Sequence, residues 1–173
     1  LKELEESLST KLVELTAKKI PVECITFSGQ GEPTVAPEFD EAVALVKKLR
    51  DELAPGLPIK VLTNGAELDQ NKIIRALNLM DECIVKVDAG QDAALERVNA
   101  PLARMNIAKL IQGAKKIKRL TIQSMFIQGA VDNTGPTEID EWMEVIGLIK
   151  PSLVQIYSLD RVPQKADLKQ VPY

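Results

Sequence analysis

The chain has 173 residues and a formal net charge of -3, with 45% hydrophobic and 27% charged residues. This balance is typical of one folded domain, which we predict over residues 1–173, and it excludes a general attraction to nucleic acid or anionic membranes. No apolar run approaches the roughly 20 residues that span a bilayer, so we expect no membrane association. The absence of histidine excludes a Ser–His–Asp triad and a His-ligated zinc site.

Short runs rich in β-branched residues alternate with segments of helical period along the chain. A predicted amphipathic helix over residues 1–19 precedes the first run. Strand, crossover helix, strand is the pattern of a parallel sheet. The predicted strands are residues 22–27, 59–62, 83–87, 120–126 and 153–157, and the predicted helices between them are residues 38–53, 71–79, 106–117 and 139–149.

The polarity of the strands favours a barrel over a flat sheet that is covered on both faces. Several predicted strands carry polar residues in their middles, whereas strands buried on both faces form continuous apolar runs. We predict five parallel strands in sequential neighbour order, with the helices outside. Because five strands are too few for an eight-stranded barrel, the predicted fold class is α/β, a partial, open parallel β/α barrel.

Polar residues also follow each predicted strand, at the end where ligands bind in parallel β/α folds. The first such end, residues 28–34, reads Ser-Gly-Gln-Gly-Glu-Pro-Thr. Its glycines let a ligand approach the backbone, and Glu32 supplies a carboxylate for a cationic group. The second end reads Thr63-Asn64-Gly65, in which Asn64 is also a common turn residue.

Lys86 and Asp88 stand two residues apart in the third predicted strand, so their side chains point the same way. A lysine inside an apolar strand is costly unless it is paired or faces a hydrated cleft. Two interpretations therefore stay open, a structural ion pair and a ligand contact. The same alternatives, core packing or ligand contact, apply to the pairs that share a face on the last two strands, which are Gln123 with Met125 and Gln155 with Tyr157.

The two cysteines, Cys24 and Cys83, each stand in an apolar run and lie far apart in the sequence. We interpret both as core thiols in strands, because free cysteines behave as small hydrophobic residues. A disulfide or a metal pair is the alternative, but their spacing matches no metal motif, so we predict no metal ligand in the chain. Unpaired thiols are typical of a reducing compartment, so we expect a cytoplasmic protein.

The strand-end motifs form an ordered set. Residues 26–34 read Thr-Phe-Ser-Gly-Gln-Gly-Glu-Pro-Thr and residues 62–65 read Leu-Thr-Asn-Gly, followed by the polar strands at residues 85–89, 122–126 and 154–161. The set resembles the G-G-E-P-type motif, the T-N-G strand end and the later strands of radical S-adenosylmethionine (radical SAM) enzymes. The resemblance implies that the chain corresponds to strands two to six of a six-stranded partial barrel.

The resemblance further implies that the chain binds S-adenosylmethionine at the carboxyl ends of its strands. By this resemblance, Gly29, Gly31 and Glu32 contact the amino group of the cofactor. The third and fourth strands of the chain supply candidates for the methionine carboxylate or the ribose, and the fifth strand lies near the adenine. The implied cofactor-binding residues are Ser28, Gly29, Gly31, Glu32, Thr63, Asn64, Lys86, Asp88, Gln123, Met125, Gln155, Tyr157 and Ser158.

The chain departs from the family pattern because it contains no C-x-x-x-C-x-x-C loop, which ligates the family's 4Fe–4S cluster. In the family this loop precedes the helix that residues 1–19 resemble, so we expect the chain to begin just after it. The resemblance then implies a cluster in a longer parent protein only, reduced by a donor such as flavodoxin or ferredoxin. We expect residues 1–173 alone to be inactive, and an unpaired edge beside residues 22–27 to favour self-association.

The predicted function is the S-adenosylmethionine-binding core of a radical SAM oxidoreductase that generates a 5′-deoxyadenosyl radical in the parent protein. Residues 28–34 and 157–163 look most like the wyosine-synthetase-like group, with the glycyl-radical-activase group as the alternative. The substrate stays open between a small molecule, a protein and transfer RNA. Two other classes are also open: a non-catalytic β/α-barrel binding or interaction module, and an unrelated barrel enzyme that uses Glu32, Lys86 and Asp88 for acid–base chemistry.

Overall fold

The computed structural model of the chain describes residues 1–29, 31–101, 105–160 and 167–172. The helices are α1 (Lys2–Ala17), α2 (Phe39–Leu53), α3 (Asn71–Leu77), α4 (Asp92–Asn99), α5 (Ile107–Ala114) and α6 (Pro136–Ile149), with a 3-10 helix at Pro33–Val35. The strands are β1 (Ile25–Phe27), β2 (Ile59–Thr63), β3 (Glu82–Lys86), β4 (Leu120–Met125), β5 (Ile127–Gly129), β6 (Leu153–Tyr157) and β7 (Leu168–Gln170).

Five strands form one parallel sheet in the order β1-β2-β3-β4-β6. This confirms the predicted parallel strands and their sequential order. In the described residues β1 and β6 do not pair with each other, so the barrel is open, as the predicted fold class requires. A separate antiparallel ribbon joins β5 to β7 and was not predicted.

One face of the sheet is covered by helices and forms the core. Val61, Val85 and Ile122 stand on this face and are fully buried. They belong to one hydrophobic cluster with side chains of the helices, such as Val43 of α2 and Trp142 of α6. Packing against helices on this face explains why alternate strand residues are apolar.

We call the opposite face of the sheet the inner face. Its strand residues are mostly half-buried or exposed, and many are polar. This one-sided burial accounts for the polar residues in the strand middles. The inner-face residues are Thr26, Lys60, Leu62, Glu82, Ile84, Lys86, Thr121, Gln123, Met125, Leu153, Gln155 and Tyr157.

Two predicted strand boundaries are wrong because the pairing between strands sets different ends. β1 begins at Ile25 rather than at residue 22, because its register with β2 starts at Ile59. The fourth predicted strand, residues 120–126, is divided after Met125, where the chain leaves the sheet and enters the ribbon. The short helix α4 was not predicted, and only Ala94 and Leu95 of it are buried.

The cysteines fulfil their prediction only in part. Cys83 lies in β3 and is buried, as predicted. Cys24 precedes β1 and is only half-buried, so its prediction as a core strand thiol is wrong. No helix in the described ranges is long and apolar enough to cross a membrane.

Candidate functional site

The loop after β1 is joined to the end of β2 through the carboxylate of Glu32. Glu32 Oε1 accepts hydrogen bonds from the Thr34 backbone N–H at 3.1 Å, from Thr34 Oγ1 at 2.5 Å and from Thr63 Oγ1 at 2.5 Å. Glu32 Oε2 accepts one from the Asn64 backbone N–H at 2.6 Å. Both threonines are buried, so the carboxylate connects the two strand ends through largely enclosed contacts.

Gly29 and Gly31 leave open space beside the backbone of the same loop. A Cβ atom on either glycine would meet no heavy atom within 4 Å, and Gly31 has a φ of +125°, which favours glycine. A cavity of about 450 Å³ borders the loop on its helix-covered side, between α1 and α2. Gln30, which stands between the glycines, lies outside the described residues. The cavity is lined in part by Ser28, Gly29, Gly31 and Glu32, together with Leu4 and Phe27.

At the end of β3, Lys86 and Asp88 form an ion pair of 2.8 Å between Nζ and Oδ2. Asp88 is fully buried, and its Oδ1 also accepts the backbone N–H of Met125 at 2.7 Å. Burial alone would lower the pKa of Lys86, but the charge and the hydrogen bond of Asp88 outweigh it and raise that pKa above its ordinary value. The ammonium group is therefore a fixed cation, 5.8 Å from the centre of the Tyr157 ring.

Two amide side chains lie next to this ion pair on the inner face. Gln123 of β4 and Gln155 of β6 are neighbours in register, and Gln123 Nε2 donates to Gln155 Oε1 at 3.2 Å. Met125 and Tyr157 form the next pair toward the carboxyl ends of the strands. All four side chains are half-buried, so they stand at an accessible surface.

The hydroxyl of the predicted residue Ser158 is engaged within the fold. Its Oγ donates to the Phe126 carbonyl at 2.8 Å and accepts the Val171 backbone N–H at 2.8 Å. The side chain is buried and connects the β4–β5 junction to the segment that follows β7. Its hydrogen-bond donor is thus used by the chain itself.

The predicted residues Glu32, Lys86 and Asp88 all lie at the carboxyl end of the sheet, in two groups. Glu32 belongs to the group at the ends of β1 and β2, whereas Lys86 and Asp88 belong to the group at the ends of β3, β4 and β6. In the described part of the chain no hydrogen bond or ion pair joins the two groups. Thr63 and Val85 are partners in register, so the groups occupy neighbouring strands. Arg161, in the motif after β6, lies outside the described residues.

Asn133 was not predicted as a site residue, and it is only 1% exposed. Its Nδ2 donates to the carbonyls of Asp88 and Met125, each at 2.8 Å, and its Oδ1 accepts the Ile127 backbone N–H at 2.8 Å. Asn133 therefore holds together the ends of the two central strands of the site. The only sequence signal was a turn, Asp-Asn-Thr-Gly, before the proline that begins α6.

The two cysteines are not placed to hold an iron–sulfur cluster together. Cys83 stands near the start of β3 on the helix-covered face, where its thiol donates to the Leu77 carbonyl at 3.2 Å. Burial raises the pKa of Cys83 to about 12, so the thiolate that a metal needs is disfavoured. Cys24 precedes β1, and its Sγ lies 3.3 Å from Thr26 Oγ1 of the inner face. No three cysteine, aspartate or glutamate side chains of the described residues form a metal site.

The fold is an open parallel β/α barrel, and the candidate site residues lie at the carboxyl end of its sheet. Residues 3–148 match the family model of the Radical SAM superfamily. The chain therefore belongs to the radical SAM superfamily, which confirms the resemblance seen in its motifs.

Curated relatives of similar sequence are longer than this chain. A UPF0026 protein of Synechocystis sp. is 34% identical over 140 residues, which cover 78% of this chain and 49% of the relative. A UPF0026 protein of Helicobacter pylori strain J99 is 24% identical over 163 residues, which cover 91% of this chain and 51% of the relative. The chain thus spans about half the length of these relatives.

Solved structures of similar fold also come from larger chains. TYW1 with a lysine–pyruvate adduct bound aligns with a TM-score of 0.63 at 16% identity, covering 97% of this chain and 56% of TYW1. Streptococcus suis SuiB bound to S-adenosylmethionine aligns with a TM-score of 0.61 at 16% identity, covering 91% of this chain and 34% of SuiB. At this identity the similarity establishes the fold, and it agrees with the predicted partial barrel.

Proposed function

We propose that this chain is the S-adenosylmethionine-binding core of a radical SAM oxidoreductase. The observation that carries the proposal is the open backbone at Gly29 and Gly31, which lies at the same end of the sheet as the Lys86 and Tyr157 side chains. Membership of the superfamily supports it, because the matched residues include all of these positions except Tyr157. When bound, S-adenosylmethionine supplies a 5′-deoxyadenosyl radical for hydrogen abstraction after one-electron reduction.

The residues of this chain have distinct tasks in such a site. The backbone of Gly29 and Gly31 approaches the amino group of the ligand, because no side chain intervenes there. Lys86, held by the buried Asp88, presents a fixed cation to the methionine carboxylate or to the ribose oxygens. Gln155 offers amide groups to the adenine side of the ligand.

Below this site, apolar side chains stand on the inner face. Leu62 and Ile84 are neighbours in register on β2 and β3 and form an apolar band under the polar strand ends. The register continues from Ile84 to Thr121 of β4 and then to Leu153 of β6, so the apolar side chains at this level are interrupted by one threonine. An apolar floor of this kind restrains side reactions of a radical with water.

We further propose that cysteines outside residues 1–173 hold the 4Fe–4S cluster, and that a flavodoxin or ferredoxin reduces it. A cluster requires several thiolates held close together. Cys24 and Cys83 stand on opposite faces of the sheet, near the strand starts rather than the strand ends. The wyosine-synthetase-like subgroup and the identity of the substrate stay predictions.

The test uses the whole protein, reconstituted anaerobically with iron and sulfide and mixed with dithionite and S-adenosylmethionine. We expect 5′-deoxyadenosine to form, and no turnover from residues 1–173 alone. Replacing Cys24 or Cys83 by serine in the whole protein should leave its iron content unchanged. A whole protein that binds no S-adenosylmethionine would overturn the proposal. Stoichiometric cluster binding by residues 1–173, abolished by Cys24→Ser, would refute the part about the cysteines.

A further inference from the structure

We infer that Glu32 is a positioning residue, which clamps the β1 loop to the end of β2 and does not itself contact the ligand. This inference rests on the proposed function, because it concerns how the S-adenosylmethionine site is held in shape. It departs from the expectation, drawn from the motif, that the Glu32 carboxylate binds the amino group of the cofactor. The reason lies in the hydrogen bonds that this carboxylate already makes.

The Glu32 carboxylate has little capacity left for a ligand. Two oxygens of a carboxylate provide about four lone-pair positions. Thr34 provides two donors, and Thr63 and Asn64 provide one each, so the carboxylate accepts four hydrogen bonds from this chain. The two hydroxyl contacts are 2.5 Å long, which is typical of O–H donors on a charged acceptor. Three of these hydrogen bonds fall on Oε1 and one on Oε2, so only one acceptor position, on Oε2, is left for a ligand ammonium group.

The donors are themselves fixed, so the contact works as a clamp. Thr34 and Thr63 are only 3% and 4% exposed, which leaves their hydroxyls few other partners. Thr63 Oγ1 also accepts the Gly65 backbone N–H at 3.1 Å, so the turn after β2 is part of the same network. Glu32 in turn caps the 3-10 helix that begins at Pro33. The carboxylate thus holds the start of the 3-10 helix and the end of β2 at the same time.

The loop needs such a clamp because its strand provides little support. β1 has three residues, and in the described part of the chain it pairs with β2 alone. Gly29 and Gly31 carry no side chains that could pack against neighbours. Their backbone keeps a defined position relative to β2 through Glu32. Removing the clamp should therefore misplace the backbone that faces the ligand.

The first experiment needs no ligand. Amide hydrogen exchange is measured in the full chain for the wild type, for Glu32→Gln and for the control Glu41→Gln, which removes the same charge from an exposed position at the start of α2. The clamp predicts that exchange at the Thr34 and Asn64 amides accelerates by about tenfold or more in Glu32→Gln, as expected when a buried hydrogen bond is lost. Exchange that matches the control would overturn the inference.

The second experiment separates a clamp from a direct contact. Binding of S-adenosylmethionine, and of an analogue that lacks its α-amino group, is measured on the whole reconstituted protein and its variants. A clamp predicts that Glu32→Gln weakens both ligands by the same factor, about tenfold. Thr63→Val should weaken both as well, and the two substitutions should be non-additive because they break one network. Loss of affinity for S-adenosylmethionine alone would mean that Glu32 contacts the amino group, which overturns the inference.

The outcomes also keep the inference apart from the proposed function. If the wild type binds neither ligand, the proposed function fails, while the exchange measurement still decides whether Glu32 is a clamp. If the wild type binds S-adenosylmethionine and the exchange at Thr34 and Asn64 does not change in Glu32→Gln, the proposed function stands and the clamp is wrong. Faster exchange with an equal loss of both ligands supports the clamp.

Discussion

At the scale of single residues, the carboxyl end of the sheet depends on buried polar groups whose partners are all present. Asp88 and Asn133 have exposures of 0% and 1%, and together they bind Lys86, Met125 and Ile127. In the residues that the structure describes, no fully buried side-chain nitrogen or oxygen atom lacks a hydrogen-bond partner. A buried polar group without a hydrogen-bond partner costs its full desolvation free energy. Arrangements of the strand ends that break this network are therefore disfavoured.

The buried thiol of Cys83 makes the stability of the fold depend on alkaline pH. Burial raises the pKa of Cys83 from 9.0 to about 12, so the unfolded chain loses this proton at lower pH than the native chain. The protonated Cys83 thiol contributes fully to the free energy of unfolding below pH 9, and this contribution is lost between about pH 9 and pH 12. The free energy of unfolding should fall there by up to about 1.4 kcal/mol per pH unit from this group.

The measurement is denaturant unfolding across this pH range. Cys83→Ala should flatten the alkaline slope, whatever its effect on stability at neutral pH, because the titrating group is gone. Cys24→Ala is the matched control and should keep the slope of the wild type. An identical slope in the wild type and in Cys83→Ala would contradict the prediction.

At the scale of elements, helix α6 is docked onto the sheet through specific close contacts. Trp142 Nε1 donates to the Val87 carbonyl at 3.1 Å and to Ser124 Oγ at 3.0 Å, so α6 contacts the ends of both β3 and β4. The Trp142 ring also packs edge-on against Phe126 at 5.2 Å between ring centres. The close approach of the helix to the β3 loop is possible because residue 90 is a glycine.

Gly90 should therefore be intolerant of any side chain. A Cβ atom there would lie 2.2 Å from the backbone carbonyl carbon of Glu141, so α6 would have to move. We expect Gly90→Ala to lower the free energy of unfolding by about 2 kcal/mol or more, as overpacking does. Gly147→Ala is the control, since a Cβ on this glycine in α6 meets no atom within 4 Å and alanine is the better helix former.

Urea denaturation of the two alanine variants tests this directly. The free energy of unfolding of the control Gly147→Ala should rise by about 0.5 to 1 kcal/mol. Equal stability of the two variants would show that α6 can shift without cost.

Elements were predictable where local pattern decides, and less so where distant contacts decide. The β2 and β6 strands follow runs of β-branched residues, and their parallel order follows from the helices between them. The β5–β7 ribbon pairs segments about 40 residues apart and has no local signature. In the site, the glycine loop is a local motif and was predicted. Asn133 and Glu32 each also bond a partner far along the chain, Asp88 and Thr63 respectively, and these contacts became visible only in the fold.

At the scale of the whole molecule, the inner face has two polar layers, which are separated on β2 and β3 by the apolar pair Leu62 and Ile84. Lys60 and Glu82 form an ion pair of 2.8 Å near the strand starts, and Thr121 Oγ1 also donates to Glu82 at 2.8 Å. The hydrogen bonds from Lys60 and then from Thr121 lower the pKa of Glu82. Lys86 and Asp88 form the second layer near the strand ends. The outer edges of β1 and β6 stay unpaired in the described chain, so self-association through the β1 edge stays a prediction, as does a cytoplasmic location.

The two inner-face lysines provide a test of which end of the barrel binds the ligand. Their ion-pair distances are equal at 2.8 Å, and their side chains are similarly exposed, 35% for Lys60 and 32% for Lys86. They differ in the end of the sheet that they occupy and in the burial of their partners, since Glu82 is 23% exposed and Asp88 is 0% exposed. Because ligands of parallel β/α folds bind at the carboxyl ends, Lys86→Met should weaken S-adenosylmethionine binding by about tenfold, which corresponds to ~1.4 kcal/mol. Lys60→Met should change it by less than about twofold, as a surface ion pair contributes little.

Equilibrium binding on the whole reconstituted protein measures both effects, and circular dichroism verifies that each variant is folded. Methionine keeps the apolar stem of the lysine, so packing along the sheet is retained while the charge is removed. The difference in affinity between the wild type and Lys86→Met should become smaller at high salt. Salt screens the contact between the ammonium group and an anionic part of the ligand, so the wild type loses affinity that the variant does not have. If Lys60→Met weakened binding as much as Lys86→Met, the ligand would not distinguish the two ends, and the assignment of the site to the strand ends would be wrong.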